Sequence, residues 1–212
     1  MRRREVLQVI ACAIAITPDT IAAQTAAKTY RIGTLTVGPP IPPTEGTGKM
    51  LVEGLAKRGY KLGENLAYEA RGAAGKIPQM PNLMQELKAA NADVVVTVGY
   101  PSAAAAKASG IPTVVASGSG DPVVTGLVQS FAHPGGNVTG IADDAAALST
   151  KRLGLLKAAS PELRRVAMLW NRDDRGMTQR YDGPQKPLKS LELLCNRSGF
   201  VNRTISTKPS RP

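Results

Sequence analysis

"ADVVVTVGYPSAAAAKASGIPTVVAS", Ala92 to Ser117, decides the fold. It opens on a nearly continuous apolar run, Val94–Val98, of strand length. A strand buried on both faces of a parallel sheet reads this way. Pro101 sits where a first helical turn tolerates it, and Gly110 stands where a helix stops. "IPTVVAS" is then a second buried strand. Strand, helix, strand in so few residues predicts a parallel crossover, and hence an α/β domain.

Working outward, the same alternation continues in both directions. Upstream, "YRIGTLTVG" (Tyr30–Gly38) predicts a strand ended by Gly38 and the prolines of "PPIPP". "TEGTGKMLVEGLAKRGY" predicts a helix with Leu51 and Leu55 four apart and Gly59 as its stop. "NLAYEAR" is a strand with alternating Leu66, Tyr68 and Ala70. "IPQMPNLMQELKAAN" is a helix with Leu83 and Leu87 spaced by four. Downstream, "GNVTGIA" is a short strand. "AAALSTKRLGLLKAASPE" is a helix carrying Leu148, Leu153, Leu155 and Leu156, and "RRVAMLWN" is a further buried strand. The expected class is α/β with a doubly wound parallel sheet.

The chain has 212 residues and a net charge of +11, which raises the question of nucleic acid. Residues 24–160 carry 13 basic and 9 acidic residues, whereas 161–212 carry 11 and 5. The excess is concentrated in the last quarter, and no basic stripe with interleaved aromatics runs along a helix or loop. That excludes the pattern of a nucleic-acid binder. Two cysteines, Cys12 and Cys195, are too few for a disulfide framework.

"MRRREVLQVIACAIAITPDTIAAQ" has the three parts of an export signal. Arg2–Arg4 are the positive region, Val6–Ile16 the apolar one, and Ala22-Ala23 the small residues before a cut. The apolar run is shorter than the ~20 residues a span needs. Arg3-Arg4 before Glu5-Val6-Leu7 resembles a twin-arginine signal. Cleavage after Ala23 would leave a mature chain in the periplasm with no stable membrane insertion. The alternatives are a buried N-terminal helix and a lipoprotein signal ending at Cys12.

Several chemistries are absent. A phosphate loop fails because Met50 follows Lys49 and Pro43 occupies the first glycine position. The dinucleotide pattern fails at Val123 after Gly118-x-Gly120, and at Leu51 after Gly46-x-Gly48. No nucleophile elbow surrounds Ser117 or Ser119. No metal-ligand cluster is visible, because Asp143-Asp144 are adjacent acids of a solvated loop. No cofactor is implied. An alternative enzyme reading, a small α/β hydrolase or transferase, would use Ser117 or Ser119 with His133, the lone histidine.

In an open α/β sheet, ligands bind at the carboxyl ends of strands, near the point where strand order reverses. Three loops qualify: "TVGPP", "VGYPSAA" and "ASGSGDPV". They nominate Thr36, Gly99, Ser102, Ser117 and Asp121 as ligand-binding residues, with Ser119 as a further hydroxyl. Gly118 and Gly120 let backbone approach a ligand. The helix begun by Pro101-Ser102 attracts a carboxylate, and Asp121 offers a partner to an ammonium group. The plainer reading is that these are turn residues, Asp121-Pro122 opening a turn.

The order "RIGTL", "GLAKRGY", "GENL", "ADVVVTVG", "IPTVV", "GDPVVTGLV", "HPGGNVTGI" and "KRLGLLKAASPELRRVAMLWN" resembles the ABC transporter substrate-binding family, tryptophan/tyrosine-binding type. The likeness covers Met1 to about Ser190, and "GDPV…GLV…PGGNVTG" is its most specific part. It implies a periplasmic-binding-protein-like fold of two α/β lobes, a hinge and a ligand cleft. It implies no catalysis, and delivery of a small-molecule ligand to a membrane permease. On this basis 1–23 is the export signal, 24–144 the N-terminal ligand-binding lobe, and 145–194 an incomplete second α/β lobe. Residues 195–212 are expected to be an irregular basic tail. A truncated second lobe would leave the chain impaired in binding. The stretch "PPIPPTEGTG" departs from the family, which approaches its first crossover more helically.

Overall fold

We describe residues 28–118, 120–182 and 194–200 of a computed structural model of the chain. The leader (1–23), Ser119 and the end of the tail lie outside the described residues.

Two sheets define two lobes. In the first, β1 (Tyr30–Thr36), β2 (Leu66–Gly72), β3 (Val94–Val98), β4 (Thr113–Ser117) and β5 (Val138–Gly140) run in the order β2-β1-β3-β4-β5. Every pairing is parallel. Order reverses between β1 and β3, so a crevice opens at the carboxyl ends of those two strands. Helices α1 (Gly46–Ala56), α2 (Met80–Ala89, entered through a 3-10 turn at Ile77–Gln79) and α3 (Tyr100–Ser109) connect the strands. This is the doubly wound parallel sheet that the alternation predicts.

One face of the sheet builds the core. Leu35, Met84, Leu87 and Val95 are fully buried in one cluster with Ala106. Each such side chain contributes roughly 1.5–3 kcal/mol. Gly33 on β1 leaves room for Leu87, whose Cδ2 stands 3.0 Å from where a Cβ would be. α3 has Pro101 in its first turn and ends on Gly110 at φ +77°, the left-handed cap expected of glycine. The proline loop after β1 is held by a hydrogen bond from the Tyr68 hydroxyl to the Ile41 carbonyl, at 3.0 Å.

The opposite face corrects two expectations of double burial. On β4 only Thr113 and Val115 are buried, and Val114 is exposed. On β3, Val95 and Thr97 are buried while Val94, Val96 and Val98 are half-buried. The apolar run reflects strand propensity as well as burial.

The second lobe contains α4 (Ala145–Ala159), β6 (Arg165–Asn171), α5 (Arg175–Asp182) and β7 (Leu194–Phe200). β6 and β7 pair in parallel, from Arg165↔Leu194 to Asn171↔Phe200. Residues 195–200 therefore correct the expectation of an irregular tail. "LCNRSGF" has no apolar alternation, and the seven-residue ladder to β6 supplies what the pattern lacks. β6 itself is not the buried strand expected, since its residues alternate between exposed and half-buried. Of the leucine stripe on α4 only Leu153 is buried, packed on Leu163, Val166 and Met168.

Candidate functional site

A cleft of about 560 Å³ lies between the carboxyl ends of β1, β3 and β4 and the second-lobe segment formed by β6 and α5. Small-molecule sites are usually about 300–1,000 Å³.

The lobe-one wall is Thr36, Val37, Gly38, Ile77, Val98, Gly99 and Gly118, with no charged side chain. The Gly38 N–H donates to Thr36 Oγ1 at 3.2 Å. The loops after β3 and β4 meet closely: the Gly99 N–H donates to the Ser117 carbonyl at 2.9 Å. Gly99 and Gly118 sit at φ +89° and +79°, a region that side chains disfavour. A Cβ on Gly118 would lie 3.3 Å from the Gly99 nitrogen. Two glycines thus bring bare backbone to the cleft.

The opposing wall is Leu169, Trp170, Asn171, Asp174, Met177 and Arg180. Trp170 is the only tryptophan of the chain. Its ring stacks on Tyr181 with centroids 3.7 Å apart and planes 11° off parallel. Asp174 is buried and opens α5, accepting the Met177 N–H at 3.0 Å. Burial pushes its carboxyl above the ordinary value of 3.8; the Met177 and Gly176 N–H groups and the Arg180 charge oppose that rise, and Asp143 adds to it. Arg180 Nη2 pairs with Asp143 Oδ2 at 2.7 Å.

α5 also touches lobe one directly. The Asp121 N–H donates to Gln179 Oε1 at 2.9 Å. The Arg175 guanidinium lies 5.8 Å from the Tyr100 ring centroid, and its Nη1 donates to the Tyr100 hydroxyl at 3.4 Å. Gly120, at φ +68°, leaves space that the Gln179 side chain fills.

Of the residues nominated from sequence, Thr36 and Gly99 line the cleft. Ser102 does not offer its hydroxyl: it is fully buried, donating to the Val98 carbonyl at 2.6 Å, with the Gly99 carbonyl at 2.9 Å. A hydroxyl in the first turn of a helix finds backbone acceptors nearby, and here they hold it. Asp121 Oδ1 accepts the Val123 and Val124 N–H groups at 2.8 and 3.1 Å, so it caps its own turn. Ser117 is exposed beside the cleft but is not among its lining residues. His133 is exposed in a turn closed by its hydrogen bonds with Ser130. Trp170, Asp174 and Arg180 escaped the sequence reading. The rule that ligands gather after strand ends, applied to β6 as well, would have reached "WNRDDRG".

Among the described residues no group of three or more His, Cys, Asp or Glu side chains could hold a metal. No helix there is long and apolar enough to cross a membrane.

Two α/β lobes facing one cleft with their strand ends define a two-lobed binding protein. Residues 44–181 match the family described as ABC transporter substrate binding protein, and the chain belongs to that family. It is 28% identical over 173 residues to a tyrosine-binding protein of Clostridioides difficile (strain R20291), covering 78% of this chain and 49% of the relative. The chain thus spans about half the length of that curated relative. Among solved structures it is similar to a conserved domain protein from Vibrio cholerae, with TM-score 0.71 and 22% identity, covering 82% of this chain and 58% of that one. An ABC domain in complex with L-Trp from Streptococcus pneumonia gives TM-score 0.67 and 23% identity, covering 82% and 57%. At such identities the structural likeness shows the fold alone.

Proposed function

We propose that this chain is the solute-binding component of an ABC importer, exported by its N-terminal signal to the periplasm. It captures a small organic ligand in the interlobe cleft and delivers it to a membrane permease, without chemical change. The observation that carries this reading is the cleft itself, with bare lobe-one backbone on one side and an aromatic stack with charged groups on the other. Two-lobed binders close by hinge motion, so contacts from both sides exclude water. An aromatic amino acid fits first: the relative of known ligand binds tyrosine, and a structural neighbour holds L-Trp.

Calorimetry on the purified chain with L-tyrosine and L-tryptophan tests the reading. Saturable one-to-one binding in the micromolar range or tighter is the result that supports this reading, and it would overturn the expectation that an incomplete second lobe impairs binding. No heat with either ligand, nor with any other amino acid, would sink it.

A further inference from the structure

We propose that the charged head of an amino-acid ligand is read at the second-lobe wall, through Trp170 Nε1–H and Arg180 Nε–H, together with Asp143 Oδ1 from the end of the first lobe. This rests on the reading above, that the cleft takes an amino acid, and assigns the residues that select it.

Three facts support it. These three atoms are buried and have no hydrogen-bond partner among the described residues. An unmet buried polar atom is destabilising, more so when charged, so such atoms in a native structure call for an occupant. Next, Arg180 and Asp143 make one of the two bonds of a forked pair, Nη2 to Oδ2 at 2.7 Å. Nε and Oδ1 remain open, although arginine and carboxylate often pair through both. Arg180 Nε–H is a donor and Asp143 Oδ1 an acceptor of that pair, and Trp170 Nε1–H is a second donor. Two donors and a carboxylate oxygen complement a carboxylate and an ammonium group.

The third fact is the lack of a rival. The lobe-one wall has no charged side chain. Asp121 Oδ1 is taken by two backbone N–H groups, and the Ser102 hydroxyl by backbone carbonyls. The buried Asp174 adds negative charge on the same wall, where an ammonium group gains from it. The three open atoms are buried in this structure, in which the Asp121 N–H donates to Gln179 Oε1 of α5. The ligand therefore enters with α5 swung outward and is covered on closure.

The test compares four probes by calorimetry: L-tyrosine, tyramine (no carboxylate), 3-(4-hydroxyphenyl)propionate (no ammonium) and L-tyrosinamide. The full chain should bind L-tyrosine at least tenfold tighter than each of the others. Trp170→Phe keeps a stacking ring and removes the N–H; it should weaken L-tyrosine about tenfold and leave tyramine unchanged. Asp143→Asn should weaken L-tyrosine and tyramine but not the propionate. Emission from Trp170, excited at a wavelength that tyrosine does not absorb, should change as L-tyrosine fills the cleft. Equal affinity of the unmutated chain for all four probes overturns the inference, whatever the variants do. So does a variant that keeps its circular dichroism spectrum and weakens every probe equally, or none. Binding without a change in Trp170 emission places the ligand elsewhere and overturns the inference while the binding function stands. Absence of all binding overturns both.

Discussion

The two lobes present similar elements but hold them differently. Lobe one is built around side chains with no solvent exposure, Leu35, Leu87 and Val95, clamped between sheet and helices. In the second lobe Leu155 is 70% exposed and Leu169 72%, and Leu153 is the one buried member of its apolar cluster among the described residues. The polar load is reversed. The lobe-one cleft wall is uncharged, whereas the opposing wall carries Asp174 and Arg180. A tightly packed lobe supplies a fixed platform; the other supplies charge, aromatic surface and contacts that can be released.

The largest test of that contrast is core truncation. Leu87→Ala removes a fully buried side chain and should destabilise the chain by about 3 kcal/mol. Leu155→Ala, on exposed surface, should stay within about 0.5 kcal/mol. Urea unfolding followed by circular dichroism measures both. Similar losses for the two would break the comparison.

The interlobe contact is next in size. Gly120→Ala places a Cβ against Gln179 at positive φ and should cost about 1–3 kcal/mol. Adding Gln179→Ala should recover the steric part and leave the backbone strain. A double-mutant cycle in thermal unfolding reads the coupling. Additive effects would mean that α5 does not rest on lobe one in solution.

A smaller effect separates two carboxylates by sign. Asp174 is raised by burial, so its contribution favours folding below the ordinary 3.8 and is lost as pH rises through its raised value. Asp174→Asn keeps a capping side chain and removes the charge. Its melting temperature should exceed that of the unmutated chain at pH 7, and the gap should shrink as pH falls through the raised value and be closed below the ordinary 3.8. A lower melting temperature at pH 7 would show that the ionised carboxylate is satisfied there.

Asp93 in lobe one should do the reverse, and least. It accepts the Arg31 N–H at 2.7 Å and pairs with Lys28 at 3.2 Å, which lower its pKa from the ordinary 3.8. Its stabilisation is present above 3.8 and lost as pH falls through the lowered value. Asp93→Asn should cost a degree or so of melting temperature at pH 7, on the order of other exposed pairs. That loss should vanish in acid and shrink in high salt.

Much of lobe one was legible in the chain. Gly38, Gly59 and Gly110 mark where elements stop, and the spacing of Leu83 and Leu87 gave a helix that packs by Leu87. Thr36 and Gly99 were legible as cleft-lining residues because a general rule opens the crevice after parallel strands. Ser102 and Asp121 satisfied the same rule and still turned away from the cleft. Each lies within reach of its own local backbone, and such short hydrogen bonds win over a distant ligand. β7 was illegible for a different reason: a strand of mixed composition forms because its partner's ladder is in place.

What the sequence by itself determined is local: where strands and helices begin and end, the parallel alternation, and the family that its motif order resembles. The boundaries and the alternation follow from propensity, punctuation and periodicity, which act over a few residues, whereas the family likeness rests on the motifs themselves. Only the tertiary structure decided which side chains converge. Asp121 meets Gln179 across 58 residues, Tyr100 meets Arg175 across 75, and Asp143 meets Arg180 across 37. No local pattern encodes such meetings, because they depend on how one packed lobe is set against another, and that is where the cleft acquires its charge.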